Sequence, residues 1–133
     1  MSDTNFNTKT NTRTSKTASD LSSLVDHLVE LNVTGQVLTL CKTYFAENIL
    51  MLSDGNVFAT SMQEAHDKQK GFVEAVKKFE VTLIEKNCSG NRAELTFRYK
   101  MTGADDAITE FVGQHIQTWV DGKIVKEEYL SIQ

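Results

Sequence analysis

The sequence predicts an α+β domain, a strongly curved antiparallel sheet with three helices forming a cone with an interior pocket. Three observations lead there. Apolar residues recur at helical spacing three times before Phe79. Beyond Phe79 the period switches to two, as in strands with one buried face. Short turns such as "CSGN" and "VDGK" separate these runs, and such turns join antiparallel neighbours.

Residues 1–18, "MSDTNFNTKTNTRTSKTA", hold too little apolar surface to offset chain ordering and are expected to form a disordered tail. Residues 19–133 form the domain. Ser19 or Asp20 caps a first helix over about 20–32, with Leu21, Leu24, Val25, Leu28 and Leu31 in one stripe. Gly35 breaks the chain. A second helix carries Val37, Leu38, Leu40, Cys41, Tyr44 and Phe45 on its apolar side. "NILMLSDGN" reads as a strand entering a turn, and "VFATS" as its return. A third helix is expected from Met62 to Phe79. "FEVTLIEKN" is the next strand. "AELTFRYKM" alternates cleanly, with Leu95, Phe97, Tyr99 and Met101 facing one way. "ITEFVGQHIQTWV" begins the longest strand, which turns back through "DGKIVKEEYLSI".

With 133 residues, 40% hydrophobic and 24% charged, the chain suits one domain with its own core. Its net charge of −4 and lack of a basic stripe argue against nucleic acid as a partner. No apolar run is long enough to span a membrane, and no h-region marks a signal peptide. Cys41 and Cys88 form no CxxC and read as two free thiols in a reducing, cytoplasmic compartment.

The final hairpin decides which residues share a face. A two-residue Asp-Gly turn pairs Trp119 with Ile124. A longer turn with a bulge at Gly122 pairs Trp119 with Val125, Gln117 with Glu127 and His115 with Tyr129. A one-residue shift moves every side chain to the other face. The bulged turn sorts the types better. Val112, Ile116, Val120, Ile124, Leu130 and Ile132 then share an aliphatic face suited to a homodimer interface. His115, Gln117, Trp119, Glu127, Tyr129 and Ser131 share the face suited to a pocket.

The element order and "DGKIVKEE", following "KKFEVTLIEKNCSGNRAELTFRYKMTG", resemble the SnoaL-like branch of the nuclear transport factor 2-like superfamily over residues 20–133. The resemblance implies an α+β cone, usually dimeric, with a hydrophobic pocket. Its members include polyketide cyclases, ketosteroid isomerases and dehydratases. The cyclase pattern has a His six residues before the hairpin Asp, where this chain has His115 before Asp121. That pattern also has an acid five residues after the hairpin Ile. Here that position is Tyr129, and the nearest acid on the expected face is Glu127.

His115 and Glu127 are therefore candidate proton carriers, and Tyr129 a candidate oxyanion stabiliser. Each also fits a plain role: a hydrogen-bonded packing His, an exposed strand carboxylate, a cross-strand Tyr. Tyr44, Tyr99, Gln117 and Trp119 are candidate ligand-pocket residues. His66, with Glu64 and Asp67, lacks HExxH spacing and reads as a rim residue, and His27 as a solvated one. No metal site, cofactor or phosphate loop is expected. Two functions fit: a cofactor-independent isomerase, cyclase or dehydratase acting on a small apolar carbonyl or hydroxyl compound, or a non-catalytic small-ligand binding or dimerisation module.

Overall fold

A computed structural model describes residues 18–132. The tail expected over 1–18 lies outside these residues, apart from Ala18, which opens helix α1 (Ala18–Val33). Leu21, Val25, Leu28 and Leu31 are all buried, as the stripe predicts. The helix closes with a paired motif. Gln36 N–H donates to Leu31 O at 2.8 Å, and Gly35 N–H to Asn32 O at 3.1 Å. This geometry needs a left-handed residue, and Gly35 has φ 78°.

Helix α2 (Val37–Tyr44) runs directly into strand β1 (Phe45–Ser53), which turns at Asp54–Gly55 into β2 (Asn56–Ala59). Helix α3 (Met62–Ala75) starts at Ser61, whose hydroxyl accepts the Glu64 N–H at 3.0 Å. Contrary to expectation, α3 stops at Ala75 rather than reaching Phe79. Val76 already pairs with Gly103 and Phe79 with Met101, so strand β3 (Val76–Ser89) takes the segment. Phe79, Val81 and Leu83 satisfy period two, and the ladder to β4 (Arg92–Gly103) outweighs the helical reading. Strands β5 (Ile108–Val120) and β6 (Lys123–Ile132) complete the chain.

The six strands form one open sheet in the order β2-β1-β6-β5-β4-β3. It is mixed, not wholly antiparallel, because β6 lies parallel to β1. β6 enters between β1 and β5, and β1 precedes it by four other strands of the sheet and a helix. Helices α1 and α2 cover one face together with α3, so the core lies between that face and Leu95, Phe97, Tyr99 and Ile124.

The β5–β6 turn also differs from expectation. Val120 pairs with Lys123, and Asp121 and Gly122 both have positive φ (51° and 81°), so the turn is the tight two-residue form. The extra residue lies further along β6. Trp119 opposes Ile124 and Thr118 opposes Lys126, leaving Val125 as a bulge. Gln117 still opposes Glu127, and His115 opposes Tyr129. Ile124, expected on the aliphatic outer face, is instead fully buried in the core.

Candidate functional site

The concave face of the sheet and the helices enclose a cavity of about 340 Å³. Phe45, Met51, Phe79, Phe97, Met101 and Phe111 contribute its apolar wall, and α3 adds Lys68, Gln69, Phe72 and Val73. Phe72 is 41% exposed although it lines the cavity, which places it at an opening.

Within this apolar wall, β4, β5 and β6 bring polar groups into one chain of hydrogen bonds. Trp119 Nε1–H donates to Gln117 Oε1 at 3.1 Å. Gln117 Nε2–H donates to Glu127 Oε1 at 2.8 Å. His115 Nδ1 lies 3.1 Å from Glu127 Oε2, and His115 Nε2 lies 2.7 Å from the Tyr99 hydroxyl. Asn32, from α1, reaches the same hydroxyl through Nδ2 at 3.5 Å. The Val125 bulge is what allows this. It absorbs the shift between Trp119–Ile124 and Gln117–Glu127, so both pairs face inward.

Glu127 is only 6% exposed, so its charge is separated from bulk water. An isolated buried carboxylate is costly. Here each oxygen has its own polar partner, which offsets that cost.

Burial pushes the Tyr99 phenol well above its ordinary range; the Asn32 hydrogen bond opposes this, while the Glu127 charge reinforces it. Tyr129 is raised as well, mainly by burial. Both phenols stay protonated at neutral pH. Cys41 is buried, and that burial, helped by the Glu127 charge, raises its thiol to about 12. It is a packing thiol rather than a nucleophile.

His115, Gln117, Glu127, Tyr129 and Tyr99 all line the cavity. Tyr44 and Trp119, the other expected pocket residues, stand outside its lining. Tyr44 turns its hydroxyl to His27 Nδ1 at 2.6 Å, and its ring meets Trp119 edge-on at 5.5 Å. Both belong to the core beneath α1 and α2. His27, expected to be solvated, is exposed but holds that hydroxyl. His66 is half-buried and meets Asp67 at 3.2 Å.

Three contributors escape the sequence reading. Asn32 lies one residue beyond Leu31 at the end of the α1 stripe, where a buried polar residue is the visible signal. Phe111 stacks on Tyr99 with centroids 5.0 Å apart, and strand alternation placed it inward. Gly113 lies under the Tyr129 ring: a Cβ there would stand 2.3 Å from the ring carbon Cε1. Only spatial proximity across β5 and β6 reveals that role.

Comparison with known structures returns a consistent architecture. A candidate SnoaL-like polyketide cyclase from Jannaschia sp. CCS1 superposes with a TM-score of 0.74 at 11% identity, covering 91% of each chain. A candidate SnoaL-like polyketide cyclase from Mesorhizobium loti matches at a TM-score of 0.68 and 18% identity, over 82% of this chain and 97% of that one. The chain has the nuclear transport factor 2-like fold. A further structure of this fold is a hypothetical protein from Catenulispora acidiphila DSM 44928 with a ketosteroid isomerase-like fold, in complex with trimethylamine. It matches at a TM-score of 0.67 and 10% identity, covering 80% of this chain and 82% of that one. At such identities the likeness is one of fold. No protein-family profile and no curated sequence matches the chain. Among the described residues no helix is long and apolar enough to cross a membrane.

Proposed function

We propose that this domain binds a small, largely apolar molecule bearing a carbonyl or hydroxyl, and that His115 and Glu127 move a proton on it. The observation that carries the reading is the His115–Glu127 contact at the wall of an apolar cavity, with Glu127 buried. A carboxylate on Nδ1 fixes the imidazole tautomer and stabilises the imidazolium, leaving Nε2 as the atom that exchanges protons. The apolar lining favours a ligand with few polar atoms. Tyr129 supplies a hydroxyl to an oxygen that gains charge. This chemistry requires no metal or organic cofactor. The fold neighbours described as candidate SnoaL-like polyketide cyclases lend this class of reaction support.

A second reading, a ligand-binding module without turnover, is favoured by the wall itself, in which apolar side chains outnumber polar ones. Hydrogen exchange separates the two. Small cyclic ketones are incubated in D2O with the protein, and α-hydrogen loss is followed by NMR. Acceleration of at least one ketone by wild type, lost in Glu127→Gln and His115→Ala variants that keep their fold, supports proton transfer. Ketone binding without any acceleration leaves the binding module.

A further inference from the structure

The hydrogen-bond chain has a direction, and that direction determines what the cavity wall offers a ligand. An indole N–H can only donate. Gln117 therefore presents Oε1 to Trp119 and must turn its NH₂ toward Glu127. Glu127 accepts from Gln117 on one oxygen, leaving the other to accept from His115 Nδ1–H. Neutral His115 then has a bare Nε2, which accepts the Tyr99 hydroxyl proton at 2.7 Å.

We propose that Tyr99, oriented by this chain from Trp119, is the residue through which the cavity recognises its ligand. With His115 neutral it is a hydrogen-bond acceptor for a ligand hydroxyl or N–H. With His115 protonated it is a donor to a carbonyl. The inference rests on the ligand-binding half of the reading above.

The Tyr99 ring cannot respond by moving, since Phe111 stacks on it and Phe79 and Phe97 lie against it with centroids about 6 Å away. Only the hydroxyl proton turns. While it points to Nε2 and Asn32 Nδ2–H donates from α1, the remaining side of the phenol oxygen carries a lone pair. When Nε2 gains a proton, it becomes the donor and the phenol proton swings to the open side. One position thus offers two opposite polarities.

Proton transfer can follow the same line. A ligand O–H proton passes to the Tyr99 oxygen as the Tyr99 proton passes to Nε2. The ligand O–H bond breaks and an Nε2–H bond forms, giving a ligand anion, a neutral phenol and an imidazolium facing Glu127. The groups that bear on His115 are Tyr99 of β4, Glu127 and Tyr129 of β6, Cys41 of α2 near the Glu127 charge, and Lys68 of α3 in the same lining. Helix α1 contributes Asn32, which does not titrate. Gln117 and Trp119 act as positioning residues.

The test uses two naphthalene probes, 2-naphthol as donor and 2-acetylnaphthalene as acceptor, with naphthalene as reference. Imidazole ¹⁵N NMR identifies one pH at which His115 is neutral and one at which it is protonated, and reads its tautomer. In wild type, the ratio of the two dissociation constants is expected to shift about tenfold between these states, one hydrogen bond's worth in each direction. Neutral His115 should show its proton on Nδ1. Tyr99→Phe should abolish the shift while naphthalene still binds, and Tyr44→Phe, outside the cavity lining, should preserve it. An unchanged ratio, a shift that survives Tyr99→Phe, or an Nε2–H tautomer overturns the proposal. Failure of all three probes to bind overturns both this proposal and the ligand-binding reading. A ratio that shifts as expected, without hydrogen exchange in any ketone, removes only the catalytic reading.

Discussion

Gly113 and Tyr129 form the sharpest steric pairing in the site. The Tyr129 ring and hydroxyl fill the space a Gly113 side chain would take. Gly113→Ala should therefore displace Tyr129 from the wall and cost about 1–3 kcal/mol, the usual range for overpacking. Tyr129→Ala empties the same space, so the double variant should be more stable than the two single losses added together, and urea unfolding of all four proteins reads that coupling. Additive losses would show that the ring does not depend on this glycine. Such a pairing is invisible along the chain, where Gly113 reads as one small residue inside a strand. His115, Gln117 and Glu127 were legible because alternation places them on one face. Their partners Asn32 and Tyr99 come from other elements, and no local pattern specifies a contact between α1 and β4.

At the scale of elements, the β5–β6 ribbon shows how a face assignment that holds for His115, Gln117, Glu127 and Tyr129 can accompany a wrong turn and a misplaced Ile124. Two devices supply the same one-residue offset, a bulge in the loop or a bulge in the strand. Sorting side chains by type detects the offset but not its location. Asp121-Gly122 then takes the tight form because both residues accept positive φ. Helix α3 stops short of Phe79 for a related reason. Val76 and Phe79 fit both periods, and pairing with β4 decided between them.

The β1–β2 turn fastens the far end of the same ribbon. Asp54 accepts Ser131 N–H on Oδ1 and Ser131 Oγ–H on Oδ2, both at 2.8 Å, and donates its own N–H to Tyr129 O. The two Ser131 bonds, that from its backbone N–H foremost, hold the Asp54 carboxyl below the usual aspartate range. A lowered folded-state pKa contributes stability that is present above the unfolded value of about 3.9 and is lost as pH falls through the folded value. The stability advantage of wild type over Asp54→Asn should therefore shrink on acidification below about pH 4, as read by urea midpoints. A constant difference across that window would show that the carboxylate charge contributes nothing there.

For the whole molecule, the outer sheet face carries the exposed aliphatic residues that bear on assembly. Leu130 and Ile132 are 36% and 40% exposed, and Val112 and Ile116 are half-buried beside them in the register of β5 and β6. Ile124 has left this set for the core, which makes the patch smaller than the sequence suggested. We expect it still to support a two-fold dimer, since the five remaining aliphatic residues, with Val120 49% exposed, share one ribbon. Sedimentation at micromolar concentration should give a dimer for wild type and a monomer or aggregate for Ile116→Asp. A monomeric wild type would assign the patch no role in assembly.

The insertion of β6 between β1 and β5 also sets an order of assembly in time. Glu127 sits on the last strand, and that strand has neighbours on both sides, one of them distant in sequence. Bringing Phe45 beside Ile124 closes a loop of roughly eighty residues, an entropic term on the order of 4 kcal/mol before any contact repays it. During synthesis, β1 and β2 emerge early and must wait with a vacant edge while β3, β4 and β5 build a meander of their own. The wall that carries His115 is then laid down before its carboxylate exists. Sheet closure and completion of the proton pair thus come together, so a nascent chain lacking β6 has most of a cavity and no Glu127.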